Sequence, residues 1–581
     1  MVSVTIDGIK VEVPEGSTIY EAAKKAGIHI PIFCYHPEIK EKIGACRICL
    51  VEVEGMKDYV PSCSTPVRDG MVVRTNTKEL REIRKFVLTL ILGTHKQTCP
   101  SCVRNQNCDL LELCYQYNMP EELPFPVRHH NRPMDTSSYA IVREPDKCIL
   151  CGRCESVCNI IQHVSAIERS NRGTNVEIAP PFGLSLSDSP CVGCGQCIMV
   201  CPVGAIYEKD STEDVWNAIY DPDKVVIVQT APAVRVAIGE EFGLEPGSIV
   251  TGKMVTALKL LGFDYVFDTQ FGADLTIMEE ASELKERIEN GGPFPLLTSC
   301  CPAWVKFVEE FHHDMIENFS SAMSPQQMVG AMTKTYFAKK MNIDPKKIVV
   351  VSVMPCTAKK AEIERPELTT DGMKNVDYVI TTREVARMFK QANINLPGLP
   401  ESEFDNPLGE STGAAAIFGV TGGVMEAALR SAYEFLTGKE LTEVEFKQVR
   451  GFEKIRIAEI EIDGKKVKVA VANTLGAADE LLKKIKEGDE RFKDIVALEV
   501  MACPGGCLGG GGQPIPTTEE IRLKRAQAIY EEDKEAKLKK SHENPAIKQL
   551  YDEFLEKPLS EIAHKLLHTH YQRKEKYKIK I

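Results

Sequence analysis

No continuously apolar stretch of this 581-residue chain reaches the ~18 residues that suggest a membrane-spanning helix. The two uncharged runs long enough, 189–207 and 500–518, are broken by clustered Cys, Pro and Gly and read as ligand-bearing loops. Met1 to Gly16 hold Asp7, Lys10 and Glu12 and lack an apolar run behind a cationic start, so no export signal is expected and the location expected is cytoplasmic. No GxGxxG follows a strand-like run and no flavin signature is present, so the chain is not expected to bind NAD(P)H itself. Basic excess is missing too: 71 Lys and Arg against 83 Asp and Glu give a net charge of −12, which argues against a nucleic-acid partner. With 43% hydrophobic and 27% charged residues, collagen, coiled-coil and disordered classes are excluded. The length suggests roughly four domains of ~150 residues.

What is abundant is cysteine. The chain has 21, and it is too large to need disulfides in place of a core. Without export, clustered thiols become metal ligands or nucleophiles. Sixteen lie between Cys34 and Cys201, none between Cys201 and Cys300, and the last five are Cys300, Cys301, Cys356, Cys503 and Cys507.

The first segment opens on alternating apolar positions, Val4 and Ile6, then Ile9, Val11 and Val13, across Asp7-Gly8, which predicts a hairpin. A helix-like stretch over 19–26 precedes Cys34-x11-Cys46-x2-Cys49-x13-Cys63. Four thiolates in this pattern suit zinc or an iron–sulfur cluster; the hairpin-plus-helix frame favours a 2Fe–2S site. The spacing resembles the N-terminal ferredoxin domain of the complex I electron-input subunit. Next comes an apolar helical stretch over 83–92 and His95-x3-Cys99-x2-Cys102-x5-Cys108. Zinc is again an alternative, but the same run in the complex I subunit and in iron-only hydrogenases holds a 4Fe–4S cluster with one imidazole ligand. Cys114, just beyond, reads as a small buried hydrophobe. The third segment repeats one motif, Cys148-x2-Cys151-x2-Cys154-x3-Cys158 and Cys191-x2-Cys194-x2-Cys197-x3-Cys201-Pro202. This is the bacterial two-cluster ferredoxin pattern, in which the fourth cysteine serves the other cluster. One 4Fe–4S cluster is therefore assigned Cys148, Cys151, Cys154 and Cys201, the other Cys191, Cys194, Cys197 and Cys158. Such carriers in series make a wire.

From Tyr220 the pattern becomes α/β. Apolar β-branched runs at 225–228 and 348–353 predict buried parallel strands, and helices are expected over 252–261, 280–289 and 326–340. Between them stand Thr298-Ser-Cys-Cys-Pro-Ala-Trp304, Met354-Pro-Cys-Thr-Ala-Lys359 and Glu499-Val-Met-Ala-Cys503-Pro-Gly-Gly-Cys507, the last followed by four glycines. With these three motifs, over 1 to about 570, the chain closely resembles the iron-only (FeFe) hydrogenases. The resemblance implies that Cys301, Cys356, Cys503 and Cys507 bind the 4Fe–4S cube of an H-cluster. Cys507 would also bridge to a two-iron subcluster with CO, cyanide and a dithiolate. It implies that Lys359 donates to a cyanide, with Gln326 and backbone near Pro232 and Pro325 as further contacts, and that Met354, Met501 and Phe418 wall the open iron site. Singly, those Met and Phe residues read as core and Lys359 as a surface lysine. Glycines around Cys507 are expected to admit close approach of a bulky cofactor. Where some relatives place a serine that donates to cyanide, this chain has Ala233.

Cys300 is surplus to the four ligands. A buried inert thiol is the plain reading; the resemblance implies a proton relay from Cys300 through Glu280, Ser320 and Glu283, with Arg287 near the exit. Glu280, Glu283 and Arg287 fall on one helix face, though exposed Glu–Arg pairs give the same spacing.

The expected fold class is α+β multidomain. A β-grasp 2Fe–2S ferredoxin domain (1–78) leads into a His/Cys3 4Fe–4S domain (79–137) and a two-cluster 4Fe–4S ferredoxin domain (138–212). A large α/β H-cluster domain (213–516) and a helical small-subunit-like segment (517–581) complete it. The expected reaction is reversible reduction of protons to H2 by the hydrogenase subunit of an NAD(P)-linked, electron-bifurcating or non-bifurcating complex. The partners expected are a flavin-containing NAD(P)H-oxidising subunit, a small 2Fe–2S subunit and ferredoxin. A stand-alone ferredoxin-dependent enzyme is the near alternative, and a non-catalytic electron-transfer or sensor subunit a more distant one. The chain ends in Arg573, Lys574, Lys576, Lys578 and Lys580, read as a solvated basic face.

Overall fold

The computed structural model describes residues 1–39, 42–120, 123–125, 130–462 and 465–578. Its class is α+β, with several modules strung along the chain. Strands Val2–Ile6 and Ile9–Val13 pair antiparallel, turned by Asp7 (φ 46°) and Gly8 (φ 85°). Positive φ at both turn residues is what a two-residue type I′ hairpin requires. Val2–Ile6 also pairs parallel with Met71–Arg74, completing a five-stranded mixed sheet with Leu50–Val53 and Val60–Pro61. Helix Ile19–Lys25 starts at a Thr18/Glu21 capping box and buries Ile19, Ala22 and Ala23 on this sheet. The next helix begins at Lys78, five residues before the predicted stretch, because Thr77 caps it and its first turn is polar. Buried Arg84 holds it to the sheet by bonds to the carbonyls of Leu50 and Thr75.

The repeated cysteine motifs fold as a pseudo-symmetric pair joined by antiparallel strands Ile141–Arg143 and Ile206–Glu208. Leu150 (φ 55°) and Gly193 (φ 70°) occupy equivalent left-handed positions between the first two cysteines of each motif. Left-handed leucine is strained; the fold holds it while the Leu150 amide donates to Cys148 Sγ at 3.4 Å.

The catalytic part holds two sheets. Val225–Thr230 and Ile348–Met354 are the central strands of a four-stranded parallel sheet flanked by Tyr265–Asp268 and Tyr378–Thr381. A second sheet orders Leu296–Leu297, Ile495–Met501, Lys465–Asn473 and Ile455–Ile462, parallel except at the last pair. The two central strands of the first sheet are covered on both faces and read as continuous apolar runs, whereas Ile455–Ile462, at the edge of the second, alternates. Thr269–Asn290 is twice the predicted helix; its first half is buried on nearly every side and lacks the amphipathic stripe that marks a helix in sequence. The predicted 326–340 helix is interrupted by a π-turn at Thr333–Phe337.

The C-terminal segment is only partly helical: Glu519–Glu535, Pro545–Leu550 and Glu561–Leu567 are helices, and an irregular strap follows. The basic end is not simply a solvated face. Lys574 Nζ lies 2.8 Å from fully buried Glu309, and Lys576 stands over the Phe311 ring. Arg573 and Lys578 are exposed, and Lys580 lies outside the described residues. Among the described residues no helix is long and apolar enough to cross a membrane.

Candidate active site and metal centres

An apolar cavity opens where strands of both sheets end. Val225–Thr230 leads into Ala231-Pro232, Ile348–Met354 into Cys356, and Ile495–Met501 into Cys503. Open α/β sheets place their sites at this carboxyl edge. The cavity encloses about 750 Å³, mouth included, and is walled by Cys300, Cys301, Cys356, Cys503 and Cys507. That is far more than the ~30 Å³ of one water. Pro232, Ala233, Pro325, Gln326, Met354, Lys359, Phe418 and Met501 complete the wall, with Thr269 and Ala273, which sequence reasoning missed. Cys301 immediately precedes helix Pro302–Phe311, so the positive end of that helix faces the thiol.

Burial pushes the Cys356 thiol to about 12 and raises Cys301, Cys503 and Cys507 as well. Four such thiols become thiolates only beside a compensating cation, and four thiols around a void fit an iron–sulfur cube. Among the described residues no three His, Cys, Asp or Glu side chains close on a single metal ion. The four thiols instead stand around a space of cluster size. The glycines near Cys507 line the cavity, Gly506 and Gly510 among them, and they also serve the protein's own packing. A Cβ at Gly506 (φ 85°) would lie 2.6 Å from the Thr421 nitrogen, and one at Gly510 would lie 2.1 Å from the Pro355 oxygen. They let the loop pack on protein backbone and so bring Cys507 up to Cys356.

Lys359 is buried, not a surface lysine. Its Nζ donates to the Cys300 carbonyl (3.1 Å) and pairs with Glu362 (3.0 and 3.1 Å). Glu362 also takes Gln326 Nε2 (2.5 Å) and Ser324 Oγ (3.0 Å), so one carboxylate orients two cavity donors. Its place one turn after Lys359 was a usable signal.

On the proton side, Glu280 is 2% exposed, and burial, with Glu283 nearby, pushes it up to about 8. Ser320 Oγ donates to Glu283 Oε2 (2.9 Å), and Glu283 Oε1 meets Arg287 Nη2 at 2.6 Å. Arg287 is itself fastened to the carbonyls of Asn318 (2.9 Å) and Phe319 (2.7 Å). Glu280 raises the neighbouring Cys300 thiol further after burial has done so, and no direct hydrogen bond joins the two among the described residues. Ser299, at 3.5 Å from Glu280, and Tyr571, set against Ser299, were missed; no spacing signal links residue 571 to 299.

Cys158, Cys191, Cys194 and Cys197 wall a second cavity of about 490 Å³, so the structure gathers the fourth cysteine of one motif with the first three of the other. Cys148, Cys151, Cys154 and Cys201 gather likewise; burial and then mutual repulsion raise Cys151 to about 12 and push Cys154 up as well. The second cavity abuts the first. Gln162 donates to the Ala502 carbonyl (3.0 Å), Gln196 to that of Gly509 (2.9 Å), and Thr357, next to Cys356, to that of Gly193 (2.7 Å).

His95, Cys99, Cys102 and Cys108 line a further cavity of about 300 Å³. His95 Nδ1 lies 2.9 Å from the Lys147 carbonyl, a contact that orients the imidazole and assigns its proton to Nδ1. Arg104, also in this wall, is 9% exposed, and its Nε and Nη1 have no hydrogen-bond partner. A buried unpaired guanidinium fits an anionic cluster. Cys34 contacts Cys46 and Cys63, and Cys63 contacts Cys49, so the first four thiols meet at one point. Cys114 packs in the N-terminal core, and burial raises it to about 11.

Comparison with known proteins places names beside this geometry. Residues 224–511 match the iron only hydrogenase large subunit, C-terminal domain, and 519–574 the iron hydrogenase small subunit. Residues 1–78 match a 2Fe-2S iron-sulfur cluster binding domain, 84–122 the NADH-ubiquinone oxidoreductase-G iron-sulfur binding region, and 147–205 a 4Fe-4S dicluster domain. The chain is 50% identical to the NADP-reducing hydrogenase subunit HndD of Solidesulfovibrio fructosivorans, across 99% of this chain and all of that one. It is 43% identical to iron hydrogenase 1 of Clostridium pasteurianum, with the same coverage. An apo [FeFe]-hydrogenase from Chlamydomonas reinhardtii superposes with a TM-score of 0.57 at 44% identity, over 62% of this chain and 99% of that one.

Proposed function

Since the chain belongs to the iron-only (FeFe) hydrogenases and is thus an oxidoreductase acting on H2, we propose how its own residues divide that work. Cys301, Cys356, Cys503 and Cys507, the four thiols lining the cavity besides Cys300, would hold the H-cluster. When bound, this group supplies the chemistry 2 H⁺ + 2 e⁻ ⇌ H2. Lys359, oriented by Glu362, presents an ammonium to the anionic diatomic ligands. Met354, Met501 and Phe418 keep bulk water from the site. Gln326 spends an amide hydrogen on Glu362, and Ala233 offers no hydroxyl, so fewer donors face the cavity than a serine-bearing relative would present.

Protons travel between Cys300 and the surface by way of Glu280, Ser320, Glu283 and Arg287, with water bridging Cys300 and Glu280. Electrons arrive through one 2Fe–2S and three 4Fe–4S accessory clusters. The ligands are Cys34, Cys46, Cys49 and Cys63; His95, Cys99, Cys102 and Cys108; and the two interleaved ferredoxin sets. The Cys158/Cys191/Cys194/Cys197 cluster is the last stop, because its cavity abuts the catalytic one. The observation that carries this reading is a single apolar cavity walled by four buried thiols, Cys300 and Lys359, where a polar file and a cluster cavity meet.

The donor is a partner. The relative named as an NADP-reducing hydrogenase subunit supports a multisubunit, NAD(P)-linked complex, for which we propose a cytoplasmic location. A flavin-containing subunit would supply NAD(P)H oxidation, for which this sequence shows no motif, with a small 2Fe–2S subunit as a relay and ferredoxin as a second donor. Replacing Cys300 by Ala tests the division of labour: CO and cyanide infrared bands should persist while H2 production collapses. Near-normal turnover in Cys300→Ala would remove the relay. Purification with native partners, then assay of NADH, NADPH and ferredoxin in turn, identifies the donor.

A further inference from the structure

One buried histidine outside the proposed route contacts the residues that adjoin it on both sides, Glu279 beside Glu280 and Ser321 beside Ser320. His568 follows helix Glu561–Leu567 and is 9% exposed. Its Nε2 lies 3.0 Å from Glu279 Oε2, and its Nδ1 lies 2.8 Å from Ser321 Oγ. Glu279 directly precedes Glu280 on helix Thr269–Asn290, and Ser321 directly follows Ser320. The Ser321 amide donates to Glu283 Oε2 at 3.2 Å, the same oxygen that accepts the Ser320 hydroxyl at 2.9 Å. The strap holding the imidazole is pinned by backbone bonds from Thr569 N to Ser321 O and from Met323 N to Leu567 O, each 2.8 Å.

Glu279 is fully buried and takes two more donors, the Tyr551 hydroxyl and the Leu559 amide. A buried carboxylate with three donors is a fixed anchor. The two ring nitrogens of His568 bridge this anchor and the Ser321 hydroxyl, Nε2 toward Glu279 and Nδ1 toward Ser321. The titratable groups facing His568 are Glu279, Tyr551 and, ring to ring at 4.3 Å, His564.

We infer that His568 is a positioning residue for proton delivery: it locks the Ser320–Ser321 segment to the helix bearing Glu280 and Glu283, so that the Ser320 hydroxyl and Ser321 amide converge on Glu283. The inference rests on the proton route proposed above. It gives the C-terminal segment a part in turnover, since the imidazole, Tyr551 and Leu559 all come from it.

The test compares His568→Leu, His568→Gln, Ser321→Ala and Cys300→Ala, each matured and purified. Infrared band intensity measures assembly, and H2 production in H2O and D2O gives turnover and its solvent isotope effect. His568→Leu should keep its bands, lose about tenfold in turnover per assembled site and show a larger isotope effect, since misplaced groups react slowly. His568→Gln, which keeps a donor and an acceptor, should recover most of the loss. Ser321→Ala should lose turnover in the same sense and serves if the leucine variant does not fold. Wild-type turnover per site and an unchanged isotope effect in His568→Leu or Ser321→Ala would overturn the inference. So would a loss that merely follows band intensity. If Cys300→Ala collapses while the His568 variants behave normally, the route stands and the inference falls; if Cys300→Ala turns over normally, the route itself is wrong.

Discussion

At Glu280, burial alone changes what a carboxyl can do. A group that titrates near 4.5 in water is held protonated to about 8. Below that pH it can donate inward; above it, it is charged and can only accept. H2 production should therefore fall as pH rises through about 8, while H2 oxidation, which needs an acceptor, should gain over the same interval. Rate–pH profiles in both directions check this, and parallel profiles would contradict it. Lys359 and Glu362 are a buried pair, 8% and 6% exposed. Glu362→Gln strands the ammonium and should destabilise the catalytic domain by about 3 kcal/mol, seen as a lower Tm. Arg104 is a different case, a buried cation whose Nε and Nη1 have no hydrogen-bond partner among the described residues. Arg104→Gln should lower the reduction potential of the His95-ligated cluster, because the reduced cluster loses a stabilising charge; EPR-monitored potentiometry reads the shift.

Elements divide into those readable from local pattern and those that only long-range packing reveals. Asp7-Gly8 between alternating apolar residues specified its hairpin, and the repeated cysteine motifs foretold which eight thiols would gather in two groups, because both rules act over a few residues. The first half of Thr269–Asn290 was invisible, since a helix buried all round has no period to detect. Ser299, Tyr571 and His568 were also invisible: each reaches its partner across chain separations that no spacing rule spans. Glu362 is different, because its one-turn offset from Lys359 was on the page. Gly511 tests the packing between cluster cavities. A Cβ there would lie 2.7 Å from the Cys194 carbonyl oxygen and 2.9 Å from Thr357 Oγ1. Gly511→Ala should slow H2 production from an external donor yet leave H2/D2O exchange, which draws no electrons along the wire, near wild type. Equal loss in both assays would mean that the cavity itself had been damaged.

Across the whole molecule, cysteine abundance is explained by a path. Thiols gather at successive stations from the N-terminal sheet to the carboxyl edges of two catalytic sheets, and a file of buried polar groups leaves that end by another side. The C-terminal strap sets Tyr571 and His568 against this second side, so on the proposed proton route the segment matched by a small-subunit family takes part in turnover. The central claim is that the apolar cavity houses an H-cluster. Infrared spectroscopy of the chain co-expressed with maturation factors tests it most directly. The account predicts sharp CO and cyanide stretching bands together with H2 production. A fully iron–sulfur-loaded protein with no such bands would contradict it and leave an electron carrier without a terminus.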